Sequence, residues 1–270
     1  MDSITFIGGG NIARALVGGL VKSGRPAHTI TVVDPDAQQR QRLAGEFGVP
    51  TQPAADGSLA SAATVVWAVK PQYFRAASAP CATLFPAALH LSVMAGIRSG
   101  SIAAAVGAER IVRAMPNTPA LIGQGITGLF ARAATSDNDR ACVESVIAPT
   151  GQWLWVAQEA DLDAVTALSG SGPAYVFYFV EAMVQAARDM GLSEAQGKQL
   201  ALATFAGATS LAQASEQPAQ VLRAQVTSAG GTTHAAITAL DASHAQAIFV
   251  AAIRQAQQRA RELGDEFAGG

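Results

Sequence analysis

Residues 226–241 carry the densest set of groups able to do chemistry. Thr227 and Ser228 lead into the pair Gly230 and Gly231, Thr232 and Thr233 follow at once, and the spacing of Ala236, Ile237 and Leu240 predicts a helix from there on. That order of residue types suits a small anion. Paired glycines let the main chain approach a ligand with no Cβ in the way. A helix N-terminus offers unpaired N–H groups and a partial positive charge to a carboxylate. The hydroxyls add donors and acceptors without fixed charge. An ordinary Ser/Thr cap behind a glycine turn uses the same residue types, so the segment alone leaves both readings open. His234 reads as a helix-start side chain rather than a proton donor.

A second such stretch is Ile7, Gly8, Gly9, Gly10, Asn11 and Ile12. It follows an apolar run over residues 3–9 and opens helical spacing at Ile12, Leu16 and Leu20, closed by Lys22 and Gly24. Strand, glycine turn and helix form the context in which G-x-G-x-x-G binds a dinucleotide pyrophosphate. The match is Gly8, Gly10 and Ala13, alanine being allowed at the helix-packing position. A second predicted strand, residues 29–33, ends at Asp34. An acid there accepts from the ribose 2′-hydroxyl of NAD and repels the 2′-phosphate of NADP. Arg40 and Arg42 follow on a helix predicted over 36–47, where they either offset that charge or lie on a solvated face.

The elements that must position these groups come in two kinds. Further strands over 64–69, 90–94 and 110–114 alternate with helical or loop connections, which predicts a parallel, doubly wound, Rossmann-like α/β sheet. Ligands of such sheets sit at the carboxyl ends of the strands. Three strand ends stand out: Ala68-Val69-Lys70-Pro71, Met94-Ala95-Gly96 and Met115-Pro116-Asn117-Thr118-Pro119. The two prolines stiffen the last of these, either to hold Asn117 and Thr118 at a pocket edge or as a rigid turn. Residues 125–130, a helix near 136–148 and a strand over 152–156 complete this half as outer elements. From 158 the strand signals stop. Helices are predicted over 161–168, 174–190, 193–213 and 219–225, and a last one starts near 243 with Gly264 as its stop. The helix over 174–190 is apolar around much of its circumference, so it needs cover on several sides. The reading is an α/β domain over 1–157 and an all-α domain over 158–270.

Composition narrows the function. Of 270 residues half are hydrophobic and only 14% charged, which is apolar for a soluble monomer and points to buried surface between subunits. The net charge of −2, with no basic cluster, argues against a nucleic-acid partner. Cys81 and Cys142 stand apart and read as small buried thiols. The sequence offers no His/Cys metal cluster, no paired carboxylates and no Ser-His-Asp order. Glu181 interrupts the most apolar run, Phe177 to Val184, and Arg188 and Asp189 follow too soon for a membrane span. Met1-Asp2-Ser3 runs into a strand with no basic leader, and the expected location is the cytoplasm.

Four stretches, in order along nearly the whole chain, resemble the Δ1-pyrroline-5-carboxylate reductases. They are Ile7 to Asn11, Val112 to Ala120, Leu168 to Tyr175, and Val226 to Thr233. The resemblance implies NAD(P)H-dependent reduction of a cyclic imine acid to proline, the last step of proline biosynthesis. It assigns the substrate to Ser228, Gly230, Gly231, Thr232 and Thr233, with the Thr233 hydroxyl on the ring nitrogen as the catalytic contact and Glu216 nearby. It assigns the ribose and nicotinamide half of the cofactor to Ala68, Val69, Lys70, Pro71 and Ala95, with Gln225 also near. It further implies that the helical half is a dimerisation domain and that homodimers associate further. Asp34 departs from the family, which commonly prefers NADPH and often carries Ser, Asn or Arg near this position. Two other readings remain. A two-domain β-hydroxyacid dehydrogenase needs a catalytic lysine, and Lys198, the only lysine after residue 150, lies outside a matching motif. A non-catalytic cofactor-binding paralogue has no use for the intact 228–233 turn.

Overall fold

The computed structural model describes residues 2–268. Its strands are β1 (Ile4–Ile7), β2 (Ile30–Val33), β3 (Thr51–Gln52), β4 (Thr64–Trp67), β5 (Leu89–Ser92), β6 (Ile111–Met115), β7 (Gly125–Ala131) and β8 (Gly151–Trp155). They form one eight-stranded sheet in the order β3-β2-β1-β4-β5-β6-β7-β8. β1 to β6 run parallel, β7 lies antiparallel to β6, and β8 runs parallel to β7.

Both faces of the parallel part are covered, which explains why its strands read as nearly unbroken apolar runs. The connecting helices are α1 (Asn11–Lys22), α2 (Ala37–Phe47), α3 (Phe74–Ser78), α4 (Ser99–Val106) and α5 (Asp137–Ile147). Leu16 and Val17 of α1, Leu43 of α2 and Val143, Val146 and Ile147 of α5 share a core with Phe6, Val66, Leu91 and Val112. Phe74 of α3 and Ile102 and Val106 of α4 share a second core with Ile7, Val65, Trp67 and Ile111. Neighbouring residues thus enter opposite cores, the period-two alternation of a strand. Asp36 caps α2 by accepting from Gln38 N–H at 2.8 Å, and Ser136 and Asp139 form a capping box on α5.

The sheet and its helices belong to a compact unit that runs to Gly172 and takes in the chain again from Ala256. This compact unit extends past residue 157, because residues 158–172 pack against sheet side chains. Helix α6 (Asp161–Val165) passes into a π-turn at Thr166–Gly170, and Leu162, Asp163 and Ala167 are buried. Glu159 accepts from the N–H and hydroxyl of Ser99 at 2.6 and 2.7 Å and from buried Arg113 at 2.9 Å. Gly170 has Met115 so close that an added Cβ would meet its methyl at 2.6 Å.

The second unit, Pro173–Gln255, is helical. Its elements are α7 (Gly172–Asp189), α8 (Glu194–Gln213), α9 (Ala219–Gln225), α10 (Thr232–Ala242) and the first part of α11 (Ala245–Ala268). Gly191, at φ +89°, ends α7 as expected, and a Ser193–Gln196 capping box starts α8. Phe249 meets Tyr175 and Phe179 edge-on at 5.7 and 5.4 Å. Gly264 does not stop the last helix, contrary to expectation: α11 continues through it to Ala268. A Cβ at this glycine would lie 2.8 Å from Arg98 Nη2, so the residue serves close approach rather than termination. Among the described residues no single helix is long and apolar enough to cross a membrane.

Candidate active site

The glycine turn after β1 is shaped by its neighbours. Gly8 sits at φ +102°, with Ala68 O where a Cβ would come within 2.6 Å, and its N–H donates to Val33 O at 2.8 Å. Only glycine accepts that conformation and that neighbour. Gly9 N–H donates to Asp34 Oδ2 at 2.7 Å, which joins the turn to the end of β2. Gly10 is the N-cap of α1 and offers no side-chain cap, and the first turn of α1 holds no acid. The α1 N-terminus therefore keeps free N–H groups for an external anion.

A cavity of about 560 Å³ opens at these strand ends. Ile7, Gly8, Gly10, Asp34, Ala68, Val69 and Lys70 line it. Its other walls went unread in the sequence: Asp36 and Gln39 at the start of α2, Pro53 to Ala55 after β3, and Tyr73, Ala76, Ala77 and Pro80 around α3. β3 has two residues and α3 five, too short for a periodic signal. The mostly apolar walls with few charges fit a flat heteroaromatic ring. The bare helix N-terminus and the Gly8 cradle fit a pyrophosphate, so the site fits a nicotinamide dinucleotide.

Several expected cofactor residues do not line this cavity. Gly9 acts through its N–H on Asp34. The Ile12 side chain packs into the sheet core, which leaves its main chain for a ligand. Asn11 and Pro71 stand beside the lining residues, and Ala95 sits beyond β5, next to Gly96, whose Cα faces Phe267. Asn117 accepts from Ile126 N–H at 3.0 Å, so its carbonyl braces the proline turn. Gln225 belongs to the helical unit, where its amide donates to Gln217 at 2.7 Å.

In the helical unit, Gly230 turns at φ +76° and Gly231 is the N-cap of α10, again without a side-chain cap. A Cβ at Gly231 would lie 2.9 Å from Ser228 Oγ, so the turn needs glycine to leave that hydroxyl in place. The hydroxyls of Thr209, Thr227, Thr238 and Ser243 donate to the carbonyl four residues back. Among the described residues those of Thr232 and Thr233 take no such bond, and both residues are exposed. The turn thus collects free N–H groups and free hydroxyls at one helix end. Glu216 lies exposed in the bend between α8 and α9. His234 is exposed in the first turn of α10.

Buried titratable groups elsewhere are structural. His90 takes the Trp67 Nε1–H on Nδ1 at 3.1 Å and faces Phe85 O through Nε2, and burial pushes its pKa down to about 4. Cys81, also buried, has its thiol pushed up to about 11. Among the described residues no group of His, Cys, Asp and Glu is placed to hold a metal.

Residues 159–263 match the model of a pyrroline-5-carboxylate reductase dimerisation domain. Residues 3–96 match that of an NADP oxidoreductase, coenzyme F420-dependent. The pyrroline-5-carboxylate reductase of Pseudomonas aeruginosa is 42% identical over 97% of each chain. The chain belongs to the pyrroline-5-carboxylate reductase family. It is an oxidoreductase with a nicotinamide-binding α/β domain and a helical dimerisation domain. The family's solved structures agree in fold. That from Coxiella burnetii is 36% identical over 97% of this chain and 98% of its own, with a TM-score of 0.89. The Plasmodium falciparum pyrroline carboxylate reductase with NADP bound reaches a TM-score of 0.87 at 26% identity, covering 97% and 98%.

Proposed function

We propose that this chain reduces Δ1-pyrroline-5-carboxylate to L-proline with NAD(P)H, and that its two glycine turns divide the work. The turn at residues 8–10 and the α1 N-terminus hold the pyrophosphate, with Ala68, Val69, Lys70 and Asp34 around the rest of the cofactor. NAD(P)H supplies the hydride that reaches the imine carbon. The turn at residues 228–231 and the first N–H groups of α10 hold the substrate carboxylate, with Ser228 and Thr232 beside it. They bind it alike before and during reaction, so they act chiefly on KM. Thr233 faces a different demand. As the imine carbon gains hydride, the π pair settles on the ring nitrogen, and a hydroxyl donor aimed there strengthens toward the transition state. Proton uptake then completes the secondary amine. Glu216 is assigned to the substrate's surroundings, and Ala95 and Gln225 to the nicotinamide end.

The observation that carries this reading is α10 itself, which starts uncapped behind a glycine turn with the Thr232 and Thr233 hydroxyls free. The decisive experiment is NAD(P)H oxidation with pyrroline-5-carboxylate, set against a 3-hydroxyacid run in reverse. Turnover of the hydroxyacid alone would point to the dehydrogenase reading, and tight cofactor binding without either turnover to the non-catalytic one.

We also place the functional boundary at 157/158, in keeping with the dimerisation match that begins at residue 159. The working form is a homodimer that assembles further, supported by the exposed apolar side chains of α7, α8, α10 and α11. Its place is the cytoplasm, in keeping with a reaction that consumes reduced cofactor and with two cysteines that are both free.

A further inference from the structure

The adenosine end of the cavity carries an unusual charge arrangement. Asp34 and Asp36 both line it, whereas Arg40 and Arg42 do not. Asp34 is held from two sides, Oδ2 by Gly9 N–H at 2.7 Å and Oδ1 by Asp36 N–H at 2.8 Å. Each oxygen of a carboxylate can take more than one donor, so both keep room for a sugar hydroxyl. The N-terminus of α2, the natural seat for a phosphate beside β2, is already filled by the Asp36 carboxylate, which accepts from Gln38 N–H at 2.8 Å.

The two arginines of α2 that follow these acids are engaged elsewhere, and Lys70, the cation that lines the cavity, lies after β4. Arg40 Nη1 donates to the carbonyls of Asp34 and Pro35 at 2.7 and 2.9 Å, which ties that end of the guanidinium to the main chain. Arg42 pairs with Glu46 at 3.1 Å, an acid that Arg14 also engages at 2.7 Å. A ribose bearing a 2′-phosphate would bring its negative charge against two fixed carboxylates. A free 2′-hydroxyl would donate to one of them.

We propose that Asp34, supported by Asp36, makes this chain select NADH over NADPH, although the family match is to an NADP oxidoreductase and the Plasmodium relative carries NADP. The inference rests on the cavity being the cofactor site. Asp34 is then both a positioning residue, through Gly9, and the residue that reads the ribose.

The test is binding rather than turnover. The dissociation constants of NADH and NADPH are measured by fluorescence on the assembled wild-type protein. Adenosine 5′-monophosphate and adenosine 2′,5′-bisphosphate serve as competitors that lack the nicotinamide. NADH should bind about tenfold or more tighter than NADPH, and the monophosphate should compete better than the bisphosphate. Asp34→Ser should move the ratio toward NADPH by about tenfold, and Asp36→Ser, which keeps a capping hydroxyl, should move it less. Equal affinities, or tighter NADPH, in the wild type overturn the proposal even if a variant fails to fold. An Asp34→Asn protein that weakens both cofactors equally also overturns it, since Asp34 would then only brace the turn. If neither dinucleotide binds while pyrroline-5-carboxylate reduction is absent, the functional reading itself falls, and this inference with it.

Discussion

The two units bury their apolar residues to very different degrees. In the α/β unit, Phe6, Val65, Val66, Trp67, Leu91, Ile111, Val112 and Leu129 have no exposed surface at all. In the helical unit, among residues 173–255, only Ala187, Gly197 and Ala201 are buried. Its large side chains face outward instead, with Phe177 at 58%, Tyr178 at 69%, Leu211 at 60% and Ile248 at 64% exposure. A soluble chain does not leave apolar surface of that extent in water. One unit is therefore a finished fold, and the other, which matches a dimerisation domain, leaves an apolar face for the proposed second copy to cover. The proposed substrate turn lies in the unfinished unit. Catalysis and assembly are thus expected to fail together, whereas damage to the sheet core should show as lost stability.

The largest expected effect breaks that contrast directly. Phe177→Glu combined with Ile248→Glu places two charges on the exposed apolar face, where each buried side chain contributes about 1.5–3 kcal/mol to association. Sedimentation should show dissociated protein, and essentially all reductase activity should be gone. Leu91→Ala, in the sheet core, should cost about 2–5 kcal/mol of stability while the subunit number stays the same. A double variant that remains associated and active would make the helical face ordinary surface.

Next in size is the chemical step. Thr233→Val keeps the shape and removes the hydroxyl, and kcat should fall about 10²–10³-fold with cofactor affinity unchanged. Ser228→Ala should chiefly raise KM for the imine acid. Near-normal kcat in the Thr233 variant would reduce that hydroxyl to a helix-start feature and send the search for a polarising group to bound water and Glu216.

Both glycine turns were legible in the sequence because their conformation lies in local order: glycine, then hydroxyl or small residue, then helix. The parallel strands were legible because burial on both faces leaves an apolar run. What stayed hidden depends on contacts distant in sequence. Alternation along residues 125–131 is the same whether the strand runs with or against its neighbour, so the reversal of β7 carried no signal. Gly264 looked like a helix stop because its partner, Arg98, lies far away in sequence. Ile12 sat inside the cofactor fingerprint, yet one turn of helix geometry sends its side chain into the core. The bond from Gly9 to Asp34 joins two motifs that the sequence presented as independent.

His90 supplies a third test, confined to the finished unit. Burial, and less so the nearby Arg110 charge, lowers its pKa from 6.5 to about 4, while its bond to Phe85 O opposes the shift. In the unfolded chain the ring takes a proton as pH drops below about 6.5, but the folded chain does so only near pH 4. The unfolded state therefore binds more protons in that window, and stability falls as pH is lowered through it by roughly 3 kcal/mol in full. His90→Gln, if it folds, should flatten that part of the urea-unfolding profile between pH 6.5 and 4. An unchanged slope would assign the acid sensitivity to other groups.

The smallest expected effect concerns Gly264, where two terms of similar size compete. Alanine is better than glycine inside a helix by about 1 kcal/mol. Its Cβ, however, would displace the Arg98 guanidinium, which lies 3.6 Å from Asp163 and 3.4 Å from Asp265. Asp265 is 78% exposed, so that pair contributes little. Asp163 is 7% exposed, and a buried carboxylate left poorly paired costs about 1–3 kcal/mol. The second term outweighs the first, so Gly264→Ala should destabilise the protein by roughly 1 kcal/mol. With Arg98→Ala already in place the obstruction is gone and only the helix term remains. The same Gly264→Ala change should then stabilise by about 1 kcal/mol. A reversal of sign between the two backgrounds, read from unfolding midpoints, ties the glycine to Arg98. The same sign in both would mean that α11 keeps a glycine there for some other reason.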